Sequence, residues 1–198
     1  MAGDIRIRNL ATYLEELRII HQELGITEDC AFGRLGPIFV ENAELVRAGS
    51  DLYDRDLYLA RPAAEAWLNM QSAARHDGIN LIVVSGFRNV RRQQEIIRRK
   101  LDAGQQLIEI LKENAAPGHS QHHTGFALDL ADESNCEPLS EAFEQHRAFE
   151  WLSRRAAGFG FSLQYPRGNS HGSFMNLGIG PWMAFKLSLS DISPKSHG

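Results

Sequence analysis

The stretch PGHSQHHTGFALDLAD, residues 117–132, decides the reading of this chain. Its first half is a polar loop holding Gly118 and Gly125, and its second half, Gly125 to Leu130, predicts a short strand. Three histidines, His119, His122 and His123, fall in the loop, and Asp129 follows on the strand. An imidazole in a loop and a carboxylate on the next strand can meet at one ion, and both donors suit zinc. Gly125 lets the backbone fold close to such a site, because it has no Cβ to clash. On spacing alone, though, His122 and His123 read as solvated loop residues and Asp129 as a capping carboxylate, since two ligands do not define a site.

Upstream, LIVVSGFR at 81–88 reads as a buried strand delivering Ser-Gly-Phe-Arg at its carboxyl end. A loop between that strand and a helix is well placed to aim polar groups into a cleft. Arg88 offers a fork of donors for a carboxylate or an oxyanion; taken alone it reads as a surface ion pair. Periodicity predicts helices over Ile7 to Leu24, from Pro62 to Asp77-Gly78, over Asn89 to Ala103, over Gln105 to Glu113 and over Leu139 to Ala157. Ala31 to Asp56 reads as irregular with one strand at most, and Phe161 to Gln164 as a further strand. Helices and short strands alternate irregularly, which predicts an α+β fold rather than a doubly wound parallel sheet.

The 198 residues suit one domain, and 43% hydrophobic content is enough to bury a core. A formal charge of −4 argues against a non-specific nucleic-acid binder, which needs a basic excess. No apolar run approaches the roughly 20 residues of a membrane span. The start, MAGDIRIRNL, lacks the apolar stretch of a secretory signal, so the expectation is a cytoplasmic chain as written, or a periplasmic or wall protein if a leader is missing. Cys30 and Cys136 are too few for a disulfide framework or a cysteine zinc site.

Taken together, SGFR, a following helix with Gln93, and Ser120-x-His122-x-x-Gly125-x-Ala127-x-Asp129 resemble the VanY-type D-alanyl-D-alanine carboxypeptidases. That family belongs with the zinc peptidases that include the D,D-dipeptidases, lysostaphin and the hedgehog signalling domain. The likeness runs from about Tyr53 to Gly172, taking in GFGF at 158–161 and YPRGNSHG at 165–172. It implies a small single-domain fold with a short central antiparallel sheet flanked by helices, and one Zn2+ in a groove. His122 and Asp129 match its first two metal ligands, Arg88 its oxyanion-stabilising arginine, and Gln93 and Ser120 positions that contact the substrate peptide. In such hydrolases zinc polarises the scissile carbonyl and lowers the pKa of water toward ~7, while a fixed guanidinium meets the charge that develops. The implied partner is a peptidoglycan peptide ending in D-Ala. The organisation expected is a helical extension over 1–50, a carboxypeptidase-like domain over 51–172 and an aberrant tail over 173–198.

The tail departs from the family. A Glu-Pro-Trp-His stretch normally supplies the general base and the third zinc ligand, but here the segment reads Gly180-Pro181-Trp182-Met183. Glycine moves no proton, and a thioether is a poor zinc donor. Read one frame over from the last base of the Ser173 codon, however, the nucleotides for Ser173 to Gly180 can spell VYEPWHW, and Met175-Asn176 makes the glutamate codon unavoidable. This predicts a frame shift near Ser173, in the gene or in its recorded sequence. The alternative third ligand is His171, in a glycine-rich loop where a solvated histidine is the plainer reading.

The leading expectation is therefore a zinc metallocarboxypeptidase that removes the terminal D-Ala of stem peptides, with D,D- or L,D-preference open. Loss of the base predicts turnover reduced by roughly 10²–10⁴-fold. The competing expectation is a non-catalytic binder that keeps the peptide groove through Arg88, Gln93 and Ser120, and the plainest is a remnant without a complete core.

Overall fold

The computed structural model describes residues 10–27, 35–132, 146–163 and 183–187. The helix α1 (Leu10–Leu24) is followed by the hairpin strands β1 (Leu45–Ser50) and β2 (Asp56–Ala60), then α2 (Arg61–His76) and β3 (Leu81–Ser85). Next come α3 (Val90–Asp102), α4 (Leu107–Glu113), a 3-10 turn over Gln121–Thr124, and β4 (Ala127–Asp132). The helix α5 (Arg147–Arg155), a second 3-10 turn over Ala156–Phe159, and the strands β5 (Phe161–Leu163) and β6 (Met183–Leu187) complete the described residues. Two antiparallel sheets result: the hairpin β1–β2, and a four-stranded sheet ordered β3-β4-β6-β5. The fold is α+β, with a short antiparallel sheet among helices, as the sequence predicts.

Two apolar clusters hold these elements. In the first, α2 sets Ala63, Trp67, Met70 and Ala74 on one buried stripe, spaced i, i+4, i+7, i+11. That stripe packs with Leu59 of the hairpin, Leu81 and Val83 of β3, Leu128 and Leu130 of β4, and Leu152 of α5. Pro62 stands in the first turn of α2, where its missing N–H costs nothing. In the second cluster Tyr13, Leu17, Ile20 and Leu24 of α1 meet Val90 and Ile97 of α3 and Ile110 of α4. Ion pairing and hydrogen bonding follow the same seam, with Arg91 on Glu16 at 2.9 Å and Gln94 on Glu23 at 2.6 Å. The start of α3 is fixed twice: Asn89 Oδ1 accepts from Arg92 N at 2.7 Å, and Glu41 Oε1 accepts from Val90 N at 2.6 Å.

The structure differs from the sequence reading in three elements. The span expected to be irregular carries a hairpin, whose β2 alternates exposed and buried positions and adds only five residues. The helix expected from Leu139 begins at Arg147, because His146 has extended backbone (φ −88°, ψ 149°); residues 139–145 lie outside the described residues. Finally β6 supplies the strand between β4 and β5 that no pattern in the tail announced.

Candidate functional site

Strand β4 divides its side chains between core and groove. Leu128 and Leu130 face the first apolar cluster, whereas Ala127 and Asp129, one pleat over, line a groove of about 790 Å³. In the pairing of β3 with β4, Val83 faces Leu130 and Ser85 faces Asp129, so Val84 is an extra residue at the site end of the strand. Such a bulge bends the strand and re-aims the side chains beyond it; here Val84, Ser85 and Gly86 all line the groove.

The loop after β3 is clamped to its surroundings by backbone bonds. Phe87 N donates to Tyr58 O at 3.1 Å, and Arg88 N donates to His122 O at 3.2 Å. Gly86 is required for the first of these contacts: a Cβ there would overlap Leu57 Cδ1 and stand 3.2 Å from Tyr58 O. Gly125 closes the 3-10 turn at φ +71°, and a Cβ on it would lie 2.8 Å from Ala60 N, whose N–H donates to Gly125 O at 3.0 Å. The predicted close approach at Gly125 is thus to the end of β2.

His122 sits on the 3-10 turn, buried together with Asp129. Its Nδ1 lies 2.6 Å from Gly86 O, and a carbonyl oxygen only accepts, so Nδ1 carries the proton of the neutral ring. Nε2 then presents a lone pair to Asp129 Oδ1 at 3.2 Å. Two electron-pair donors face one another, and the arrangement needs a cation between them, either a proton on the imidazole or a metal. Adjacent N and O ligands of a tetrahedral zinc stand about 3.3 Å apart, so the pair fits half of a zinc site. Among the described residues no group of three His, Cys, Asp or Glu side chains gathers around one point. Burial alone would raise the Asp129 carboxyl, but His122 and Arg88 outweigh it and hold the carboxyl below its usual range.

Arg88 also lines the groove, with its Nε buried and unpartnered among the described residues. Burial pushes its guanidinium down from the ordinary value, Asp129 opposes the fall and Arg92 adds to it. Arg88 is therefore no surface ion pair; it is a cation turned inward, waiting for an acceptor. Gln93 is 1% exposed, and its Nε2 donates to Ala115 O at 2.7 Å. That bond fixes the amide orientation and leaves Oε1 buried at the groove without a partner among the described residues. Ser120 lies at the groove too, its Oγ accepting weakly from His122 N at 3.4 Å.

The three clustered histidines have three different surroundings. His123 is 0% exposed: Nδ1 donates to Arg88 O at 2.5 Å, and Nε2 accepts from Gly118 N at 3.0 Å. Burial pushes its pKa down to about 4, so it is a neutral staple joining the Arg88 loop to the loop that carries Ser120 and His122. His119 Nδ1 bonds to Gly36 O at 2.7 Å, and the ring stacks on His21 with centroids 5.7 Å apart. Neither is a solvated loop histidine. Sequence reasoning also missed Arg92 and Arg99 of α3 in the groove wall, although their i, i+7 spacing puts them on one side of that helix. Tyr53 and Tyr58, at the hairpin end of the groove, carry no readable signal. His171 and the segment 173–182 lie outside the described residues.

An imidazole–carboxylate pair turned into a groove at a central antiparallel strand, with the half-buried Arg88 lining the same groove, is an arrangement suited to metal-assisted hydrolysis. Residues 56–182 match a family model described as VanY, D-alanyl-D-alanine carboxypeptidase. The chain belongs to the VanY family of D-alanyl-D-alanine carboxypeptidases. YodJ of Bacillus subtilis strain 168, a carboxypeptidase by name, is 35% identical over 111 residues, covering 56% of this chain and 40% of that protein. The D-alanyl-D-alanine carboxypeptidase of Enterococcus faecalis strain V583 is 32% identical over 102 residues, covering 48% and 36%. The matched part thus spans well under half of either relative. Among solved structures, the LdcB LD-carboxypeptidase aligns with a TM-score of 0.64 at 28% identity, over 75% of this chain and 70% of that one. The vancomycin-resistance D,D-pentapeptidase VanY, solved with Zn(II), aligns with a TM-score of 0.55 at 22% identity, over 78% and 87%.

Proposed function

We propose that this chain is a zinc-dependent carboxypeptidase of peptidoglycan stem peptides, built to remove a terminal D-Ala. The observation that carries the reading is the His122 Nε2 lone pair facing Asp129 Oδ1 at 3.2 Å within the groove. On this reading His122 and Asp129 hold the zinc. When bound, zinc polarises the scissile carbonyl and acidifies water. Arg88 brings fixed positive charge to the oxygen that becomes negative, with its Nε already out of water and aimed for an acceptor. Gln93 Oε1 accepts a peptide N–H, since its own amide N–H is committed to Ala115 O. Ser120 serves the terminal carboxylate. Gly86 O sets the His122 tautomer, the task a second ligand shell performs in metal sites generally.

Zinc dependence, the roles of these residues and the impairment of this chain belong to the same proposal. Gly180-Pro181-Trp182-Met183 offers neither a base nor a good donor at the expected positions, so turnover is weak unless the shifted frame is the true one. That sequence favours a second reading, a stem-peptide binder that retains the groove without hydrolysis. The test is titration of the full chain with zinc, then with a peptide ending in D-Ala-D-Ala, followed by mass analysis of the mixture. Zinc uptake with peptide binding supports the site, release of D-Ala separates enzyme from binder, and no uptake in zinc excess refutes the proposal.

A further inference from the structure

The groove does not end at His122 and Asp129. It runs on along α3, where Arg92, Ile96, Arg99 and Lys100 line it together with Gln93 and then Glu113. The charges on this arm are unevenly answered. Lys100 is paired with Glu113 at 2.9 Å, within the groove. Arg92 is paired with Glu95 at 2.8 Å, but the Glu95 side chain is 61% exposed and is no part of the groove lining, so solvent screens that pair. Arg99 reaches only Glu95 O, a helix carbonyl, at 3.4 Å, and no carboxylate pairs with it among the described residues. The groove side of α3 therefore carries an excess of guanidinium. The same groove is lined by Gln93, whose buried Oε1 has no partner among the described residues and asks for an N–H.

We infer that this arm is a second carboxylate subsite, in which Arg99, supported by Arg92, holds an internal carboxylate of the stem peptide whose backbone N–H is taken by Gln93. The inference rests on the proposed stem-peptide reading of the groove. One ligand must satisfy both demands. From Gln93 to Arg99 is six residues of helix, about 9 Å of rise, which is two to three residues of extended peptide at about 3.3 Å each. A peptide amide with a carboxylate side group two to three residues away spans that distance. Stem peptides carry such groups apart from their terminus, on a glutamate or on a diamino diacid, and amidation removes the charge. The planar guanidinium fork matches a carboxylate in two bonds and loses that match with an amide. The arm thus makes the protein selective for non-amidated stems.

The experiment is isothermal titration of the full zinc-loaded chain with stem pentapeptides ending in D-Ala-D-Ala. The peptides are identical except that the internal carboxylate is free or amidated. The free form is expected to bind about tenfold tighter, a preference that shrinks with added salt because Arg99 is exposed. In Arg99→Gln the preference falls to near unity while the amidated peptide binds as it does to the unaltered chain. Equal affinity for the two peptides, or a preference that survives Arg92→Gln/Arg99→Gln, overturns the subsite. Absence of binding by either peptide overturns the stem-peptide reading and the subsite with it.

Discussion

The neutral His123 staple makes the stability of this protein depend on acid. The ring is fully enclosed, and both nitrogens are used by backbone partners on the two loops that form the site. Its pKa is 6.5 in the ordinary state and about 4 in the folded protein, with burial the first cause. The folded value is depressed, so the unfolded chain binds the proton more readily, and stability falls as pH falls. The contribution is fully present above about pH 6.5, declines progressively toward pH 4 and changes no further below it. Between about pH 7 and 4.5 the loss from this one group is about 2–3 kcal/mol. Protonation also strips Nε2 of the lone pair that accepts from Gly118 N, so the charge and the lost bond act in the same direction. Urea unfolding of the metal-free chain at both pH values, compared with His123→Gln, isolates the effect. The variant is less stable at neutral pH, having lost ring packing, but it loses about 2–3 kcal/mol less on acidification. His119, whose pKa burial also lowers, contributes to both proteins and cancels in the comparison. Equal acid sensitivity in the two proteins would show that His123 is not held neutral and does not staple the two loops.

Gly86→Ala forces its Cβ against Leu57 Cδ1 and toward Tyr58 O, and is expected to cost about 1–3 kcal/mol in urea unfolding while weakening zinc binding through the displaced Gly86 O. A variant as stable as the unaltered chain would mean that Leu57 swings aside freely. Asp129→Asn removes one of the two donors and is expected to weaken zinc binding at least about 100-fold by titration; unchanged affinity would move the metal away from His122. Replacing residues 174–180 by the shifted-frame VYEPWHW is expected to raise D-Ala release from a D-Ala-D-Ala peptide by about 10²–10⁴-fold, since it supplies a general base at the required spacing. If product release stays at the level of the original chain, or the nucleotides across codons 170 to 182 do not permit that reading, the frame-shift explanation is wrong.

Legibility in the sequence divides along a physical line. Periodic burial is written in side-chain type, and so α2 and α3, with Trp67, Met70, Val90 and Ile97 facing inward, can be read from spacing alone. The hairpin and β6 cannot, because their strands are five or six residues long and are held by pairing with chain far away. At the site, the motif names His122 and Asp129 by spacing, but spacing gives no physical reason why His122 and not its neighbour His123 faces the groove. Only the carbonyls decide. Gly86 O fixes His122 Nδ1 and leaves Nε2 for the groove, while Arg88 O and Gly118 N use up both nitrogens of His123. Those carbonyl positions follow in turn from the Val84 bulge and from the close approach at Gly86, a residue whose only contribution is the side chain it lacks. The imidazole available for chemistry is therefore selected by backbone geometry, and a substitution that moves the Gly86 loop disables His122 without touching either histidine.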